Sequence, residues 1–74
     1  MPVIDIQATG KNIERLRKAA GLSVKDMQAA FGFSTPQAIY TWQQGACMPT
    51  IDNIVIMAVM FGCRMDDIVV VTMP

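Results

Sequence analysis

Four glycines divide the chain into short segments, and their spacing constrains the fold more than any other feature. Gly21, Gly32, Gly45 and Gly62 each follow a stretch in which apolar residues recur with helical spacing. Glycine is the preferred residue just past the C-terminus of a helix. The pattern therefore predicts five short helices, and the length of 74 residues predicts one all-α domain over residues 1–74.

Apolar stripes locate the first two helices. Ile13, Leu16 and Ala20 predict a first helix that begins after residues 9–10 and ends at Gly21. The second helix starts at a pattern that resembles a capping box, with Ser23 as the N-cap and Asp26 three residues later. Its predicted buried residues are Val24, Met27 and Phe31.

The start of the third helix has two possible forms. Either Ser34 caps the helix with Gln37 at the third helical position, or Thr35 caps it with Pro36 at the first. The residues alone do not separate these forms. The predicted inward-facing residues of this helix are Ala38, Ile39 and Trp42.

The fourth helix is predicted from Pro49-Thr50 to Phe61, and a short fifth helix near Asp66 carries Ile68 and Val69. The predicted core-lining residues of the fourth helix are Ile51, Ile54, Met57, Ala58 and Phe61. The first residues and the tail are β-branched, so short extended segments are possible at both termini.

The composition excludes several kinds of chemistry. With no histidine, a Ser/His/Asp triad, a Cys/His dyad and a His-based metal site are impossible. Cys47 and Cys63 cannot complete a zinc site alone, and we interpret them as reduced thiols that serve mostly as small apolar filler. We expect no enzyme activity, no cofactor and no metal. The longest apolar run has eight residues, against about 20 for a membrane span, so we expect a cytoplasmic protein.

The net charge of zero conceals an uneven distribution. Residues 9–49 carry five cations against two carboxylates, a net charge of +3. Residues 50–74 carry one cation against three carboxylates, a net charge of −2. The positive part coincides with the first three helices, although such side chains are also the default on any exposed helix face.

The second and third helices, about residues 23–45, predict a helix-turn-helix, because a three-residue joint over residues 33–35 connects two short helices. Several further pieces resemble, in order and spacing, the phage-repressor/Cro-type (XRE) helix-turn-helix family. The pieces are Leu16-Arg17-Lys18, Gly21-Leu22-Ser23, Phe31-Gly32-Phe33-Ser34, Trp42-Gln43-Gln44-Gly45, Pro49-Thr50-Ile51-Asp52-Asn53 and Phe61-Gly62. The resemblance implies a compact five-helix bundle that binds operator DNA, usually as a dimer.

The resemblance also implies a set of DNA contacts on the third helix and around it. The family's base-reading positions correspond to Thr35, Gln37 and Thr41. The candidates for contacts with the DNA backbone are Arg17, Lys18, Lys25, Tyr40 and Gln44. The sequence departs from the family at Val24, where relatives often carry Gln, and at Thr41 and Gln44, where relatives often carry Lys or Arg. Fewer cations mean fewer phosphate contacts.

The fourth helix is apolar on more than one side, which predicts an interface. A helix that is apolar all round is buried on both sides, and 74 residues offer little else to cover it. We expect a symmetric homodimer formed by this helix and the tail, with strand pairing between chains at the termini. The predicted interface residues are Ile56, Val59, Met60, Val69 and Val71. Alternatively, the termini pack on their own domain.

The sequence therefore predicts a sequence-specific DNA-binding transcription regulator. We expect a repressor that binds a near-palindromic operator in double-stranded DNA as a homodimer, without membrane or small-molecule ligand. The alternative is a protein-interaction module on the same scaffold, similar to an antitoxin, with weak DNA binding or none.

Overall fold

The computed structural model describes residues 1–73, which form five helices and two short strands. The bounds are β1 Val3–Ile4, α1 Ile6–Ala19, α2 Val24–Phe31, α3 Gln37–Gln43, α4 Ile51–Phe61, α5 Met65–Ile68 and β2 Val71–Thr72. The predicted all-α five-helix bundle, with short extended segments at both termini, is confirmed.

The first helix begins earlier than predicted. Asp5 is the N-cap of α1, and its carboxylate accepts the backbone N–H of Ala8 at 2.9 Å. Gly10 lies inside the helix, where α1 crosses the end of α3. A Cβ at this position would lie 2.7 Å from the carbonyl oxygen of Gln43, and closer still to that of Trp42. The prediction that the helix starts after Gly10 is therefore wrong, because this glycine permits close packing of two backbones.

The capping box of α2 is confirmed. The Ser23 hydroxyl accepts the Asp26 N–H at 3.0 Å, and the Asp26 carboxylate accepts the Ser23 N–H at 2.8 Å. Gly32 ends the helix in the left-handed conformation at φ +71°, which glycine adopts without strain.

Neither predicted form of the α3 start occurs. Pro36 is the N-cap residue, and no side chain donates or accepts a capping hydrogen bond. The backbone carbonyl of Pro36 instead accepts the N–H groups of Ile39 and Tyr40 at 3.1 and 3.2 Å. Ser34 and Thr35 are left exposed before the helix.

The core lies where all five helices meet. The buried apolar residues are Ile13, Met27, Ile39, Trp42, Ile54, Met57, Ala58 and Ile68. Phe31 and Phe33 stack with ring centroids 5.1 Å apart, and both meet Trp42 edge-on. The prediction that Ile51 lines the core is wrong, since 67% of this residue is exposed. The other predicted core-lining residues of α4 do pack inward, since Ile54, Met57 and Ala58 are buried and Phe61 is half-buried against them.

Two predicted interface residues also pack inward. Met60 and Val69 are half-buried against the core of their own chain. Met60 lies one turn after the buried Met57, and Val69 directly follows the buried Ile68. Part of each side chain stays accessible, and the place of both residues in a dimer interface stays a prediction.

The two termini pair with each other. The strands β1 and β2 are antiparallel, with Val3 opposite Thr72 and Ile4 opposite Val71. The adjoining segment continues the contact, because the Asp5 N–H donates to the Val70 carbonyl at 2.8 Å. The expected strand pairing between chains is therefore wrong, and the alternative of termini packed on their own domain is correct.

Two smaller expectations concern the cysteines and the membrane. Cys47 and Cys63 are both free thiols. Burial and the nearby Asp67 carboxylate raise the pKa of the Cys63 thiol, whereas Cys47 is exposed, so its interpretation as apolar filler is wrong. Within residues 1–73, every helix is too short or too polar to cross a membrane.

Candidate nucleic-acid interface

The joint between α2 and α3 is held by main-chain and side-chain hydrogen bonds. The Phe33 N–H donates to the Gln28 carbonyl at 3.0 Å. The Gln28 side-chain amide returns a hydrogen bond to the Phe33 carbonyl at 3.2 Å. These bonds and the packing of Phe31, Phe33 and Trp42 fix the orientation of α3 relative to α2.

The α3 helix has one buried face and one polar face. Ile39 and Trp42 are buried, as their spacing predicted. The opposite side presents Gln37 and Tyr40 to solvent, and Tyr40 is 44% exposed. Thr35 is exposed two residues before the helix begins. These side chains have hydrogen-bonding groups free to meet a partner.

Thr41 differs from the other predicted base-reading residues. It is half-buried, and its hydroxyl donates to the backbone carbonyl of Gln37 at 2.8 Å. This back-bond is common for Thr in helices. The donor of Thr41 is therefore occupied, and what it can offer a partner is its methyl group and the acceptor capacity of its oxygen.

The side chains predicted to contact the DNA backbone have different surroundings. Lys25 is exposed in the first turn of α2. Lys18 is exposed, and its ammonium lies 3.3 Å from the Glu14 carboxylate. Such surface pairs are weak, so a stronger anion can displace Glu14. Gln44 is exposed at the C-cap of α3.

Arg17 is engaged inside the molecule. Its Nε donates to the side-chain oxygen of Gln43 at 3.0 Å, and its Nη1 donates to the Leu22 carbonyl at 2.8 Å. The guanidinium therefore ties α1 to the end of α3 and to the turn before α2. Gln43 was missed as a functional residue. A signal existed, since Arg17 follows Ile13 by one helical turn and so lies beside the buried face of α1.

The N-terminus of α2 carries its own negative charge. The backbone N–H of Ser23, and then its hydroxyl, hold the pKa of Asp26 below its ordinary value. A helix N-terminus attracts anions, and here a carboxylate already occupies it. A phosphate at this end of α2 would lie beside Asp26 as well as Lys25.

No cluster of metal-ligating side chains accompanies this surface in the described part of the chain. Among residues 1–73, the Cys, Asp and Glu side chains form no group of three or more that could hold a metal ion. The chemistry available on the α3 face is therefore hydrogen bonding, apolar contact and charge.

Comparison with known proteins shows a structural likeness. No protein-family model matches the chain, and no curated protein matches it. Among solved structures, it is similar to the restriction-modification controller protein C.AhdI from Aeromonas hydrophila, with a TM-score of 0.75 and 20% sequence identity. The chain has the fold of that controller protein. The match covers 86% of this chain and 96% of C.AhdI, so the two share the whole helical domain, and the predicted repressor-like fold is confirmed.

Proposed function

We propose that this chain is a sequence-specific DNA-binding transcription regulator. The observation that carries the proposal is the exposed polar face of α3 on a rigid helix-turn-helix, with Thr35 and Gln37 at its leading end. The likeness to a restriction-modification controller protein supports the same class of function. The positive net charge of residues 9–49 is suited to a phosphate backbone.

In this proposal α3 enters the major groove and reads base edges. The Gln37 amide forms a bidentate pair with adenine, and Thr35 and Thr41 contact a base edge or a thymine methyl. Because the Thr41 hydroxyl donates to the helix backbone, its contribution is mainly the methyl contact.

Around the groove, phosphates are contacted by side chains that remain accessible. These are Lys18, Lys25, Tyr40 and Gln44. Arg17 affects DNA binding indirectly, because its hydrogen bonds to Gln43 and Leu22 hold α3 in place relative to α1. Its role in binding is then to position the reading helix.

An exposed aliphatic ridge on α4 supports a homodimer. Ile51, Val55 and Val59 follow one another at successive turns and are 67%, 44% and 78% exposed. Ile56 beside them is 40% exposed, and Val71 at the terminal sheet is 53% exposed. A two-fold dimer would bury such a self-complementary patch. Two α3 helices about 34 Å apart would then meet successive major grooves of a near-palindromic operator, and occupancy of a promoter would repress it.

A second candidate is a protein-interaction module with little DNA binding. The pairing of Lys18 with Glu14 and the internal hydrogen bonds of Arg17 favour it, because they leave few cations free for phosphate. The same α4 ridge would then be its main functional surface.

The reading of bases by α3 is tested with two glutamine variants on one helix. A bound-sequence selection from random duplexes first defines the operator. Gln37→Ala should cost about 1–3 kcal/mol on that operator and relax specificity at one base pair. Gln44→Ala, a matched loss of an amide, should weaken binding to all sequences alike. A Gln37→Ala protein with the wild-type sequence preference would refute the assignment of this residue.

A further inference from the structure

An open cleft of about 260 Å³ lies between α1 and the segment that follows α5. Its lining residues are Ala8, Lys11, Asn12, Arg15 and Val70. The four from α1 have the spacing of a single helix face. The cleft therefore combines two long cationic side chains with an aliphatic floor.

The walls of the cleft are fixed by hydrogen bonds over long sequence separations. The Val70 N–H donates to the Thr9 hydroxyl at 2.9 Å, and the Val70 carbonyl accepts the Asp5 N–H at 2.8 Å. The Asn12 side-chain amide donates to the Ile68 carbonyl at 3.0 Å. Both backbone groups of Val70 are thus hydrogen-bonded within the chain, and the cleft is formed without a bound partner.

The two cationic side chains that line the cleft, Lys11 and Arg15, have no carboxylate partner among residues 1–73. Lys18 and Arg64 each lie within 4 Å of a carboxylate, whereas Lys11 and Arg15 do not. Arg15 donates its Nε to the neutral Asn12 amide oxygen at 3.1 Å, which orients the guanidinium without cancelling its charge. The lining includes no acidic side chain, so the cleft is complementary to an anion.

The cleft lies on a different side of α1 from Arg17. At about 100° per residue, Lys11 and Arg15 lie roughly 120° and 160° around α1 from Arg17. Arg17 contacts the end of α3, which places the two cations on another side of the helix.

We propose that this cleft binds an acidic segment of a partner protein, in which carboxylate and aliphatic side chains alternate. The carboxylates pair with Lys11 and Arg15, and an aliphatic side chain packs on Ala8 and Val70. An apolar floor between two cations matches such a peptide better than a phosphate backbone, which has no aliphatic group to fill it. A regulator of this kind contacts DNA with α3 and a second protein with α1.

A fluorescein-labelled hexapeptide of alternating glutamate and leucine tests the proposal by fluorescence anisotropy. Wild-type protein should bind it with an affinity that falls as salt rises. Lys11→Glu should weaken binding roughly fivefold to tenfold, since it replaces one surface attraction with a repulsion. No described hydrogen bond or salt bridge involves the Lys11 side chain, so the variant should fold as the wild type does.

The charge-matched control is Lys25→Glu, which changes an exposed cation on α2 and should leave peptide binding within about twofold. Five results would overturn the proposal. The wild type does not bind the peptide, or a peptide with glutamine in place of glutamate binds equally well. Lys25→Glu weakens peptide binding as much as Lys11→Glu does. Lys11→Glu lowers operator affinity more than Lys25→Glu, which would make the cleft a nucleic-acid site, or it lowers the oligomeric mass, which would make the occupant a second copy.

Discussion

Replacing Gly10 by alanine tests whether the close crossing of α1 and α3 is what this position requires. In a helix interior exposed to solvent, alanine is favoured over glycine by about 1 kcal/mol. Here the added methyl would lie 2.7 Å from the Gln43 carbonyl oxygen and closer to that of Trp42. Both are backbone atoms that cannot rotate away, so α3 must shift. Overpacking of this kind costs about 1–3 kcal/mol or more.

The expected net effect of Gly10→Ala is a loss of about 1–2 kcal/mol in the free energy of unfolding. Urea denaturation measures it directly, and each kcal/mol should lower Tm by roughly 4–8 °C in a domain of this size. The protein has a single tryptophan, Trp42, whose carbonyl meets Gly10, so its fluorescence should also change. Ala19→Gly, on the exposed end of α1, measures helix propensity alone. A Gly10→Ala protein that is more stable than wild type by the amount that Ala19→Gly loses would refute the reasoning.

Three further outcomes are expected. Gln43→Glu should stabilise the fold by up to about 1 kcal/mol in urea denaturation, because its half-buried hydrogen bond with Arg17 becomes an ion pair. Gln44→Glu should not stabilise the fold, and equal effects of the two variants would count against this contact. The pKa of Asp26 is lowered by folding, so this group adds stability above its unfolded pKa and loses it as pH falls through the folded value. Asp26→Asn should therefore destabilise the fold at pH 7, and the difference should shrink as pH falls below the ordinary pKa and vanish below the lowered folded pKa. A difference that does not shrink in acid would contradict this. Val59→Lys should yield monomers by light scattering with an unchanged circular dichroism spectrum, and an unchanged mass would exclude the α4 dimer.

Local signals in the sequence were sufficient for the helix ends. Ser23 and Asp26 predicted the capping box because its two hydrogen bonds join residues three apart. Gly32 and Gly62 predicted helix ends because both positions require a positive φ. The polar face of α3 was equally predictable, since Ile39 and Trp42 leave the opposite side to solvent.

Features that depend on tertiary contacts were not predictable in the same way. Gly10 resembles a helix boundary in the sequence, and its role emerges from the approach of α3. On α4 nearly every side is apolar, so periodicity alone could not show that Ile51, unlike Ile54, is exposed. The strand pairing of the termini uses the same backbone groups whether the partner is the same chain or another.

Some features of the proposed DNA-reading site were predictable from local sequence, and others depend on tertiary contacts. Exposure of Gln37 and Tyr40 followed from the helical period, whereas the position of Thr35 outside α3 did not. For Arg17, the spacing after Ile13 indicated a position beside the buried face of α1. Its partner was not predictable, because that spacing does not show which residue, 26 positions away in the chain, accepts the hydrogen bond.

The salt dependence of binding to a selected operator tests the central claim that this chain is a DNA-binding regulator. If Lys18 and Lys25 of each subunit of a dimer contact phosphate, four contacts should give a slope of log affinity against log salt of about −3 to −4. Lys25→Ala should make the slope shallower by about 2, one unit per subunit. Failure to detect binding to any duplex at low salt would contradict the regulator and favour the protein-interaction module.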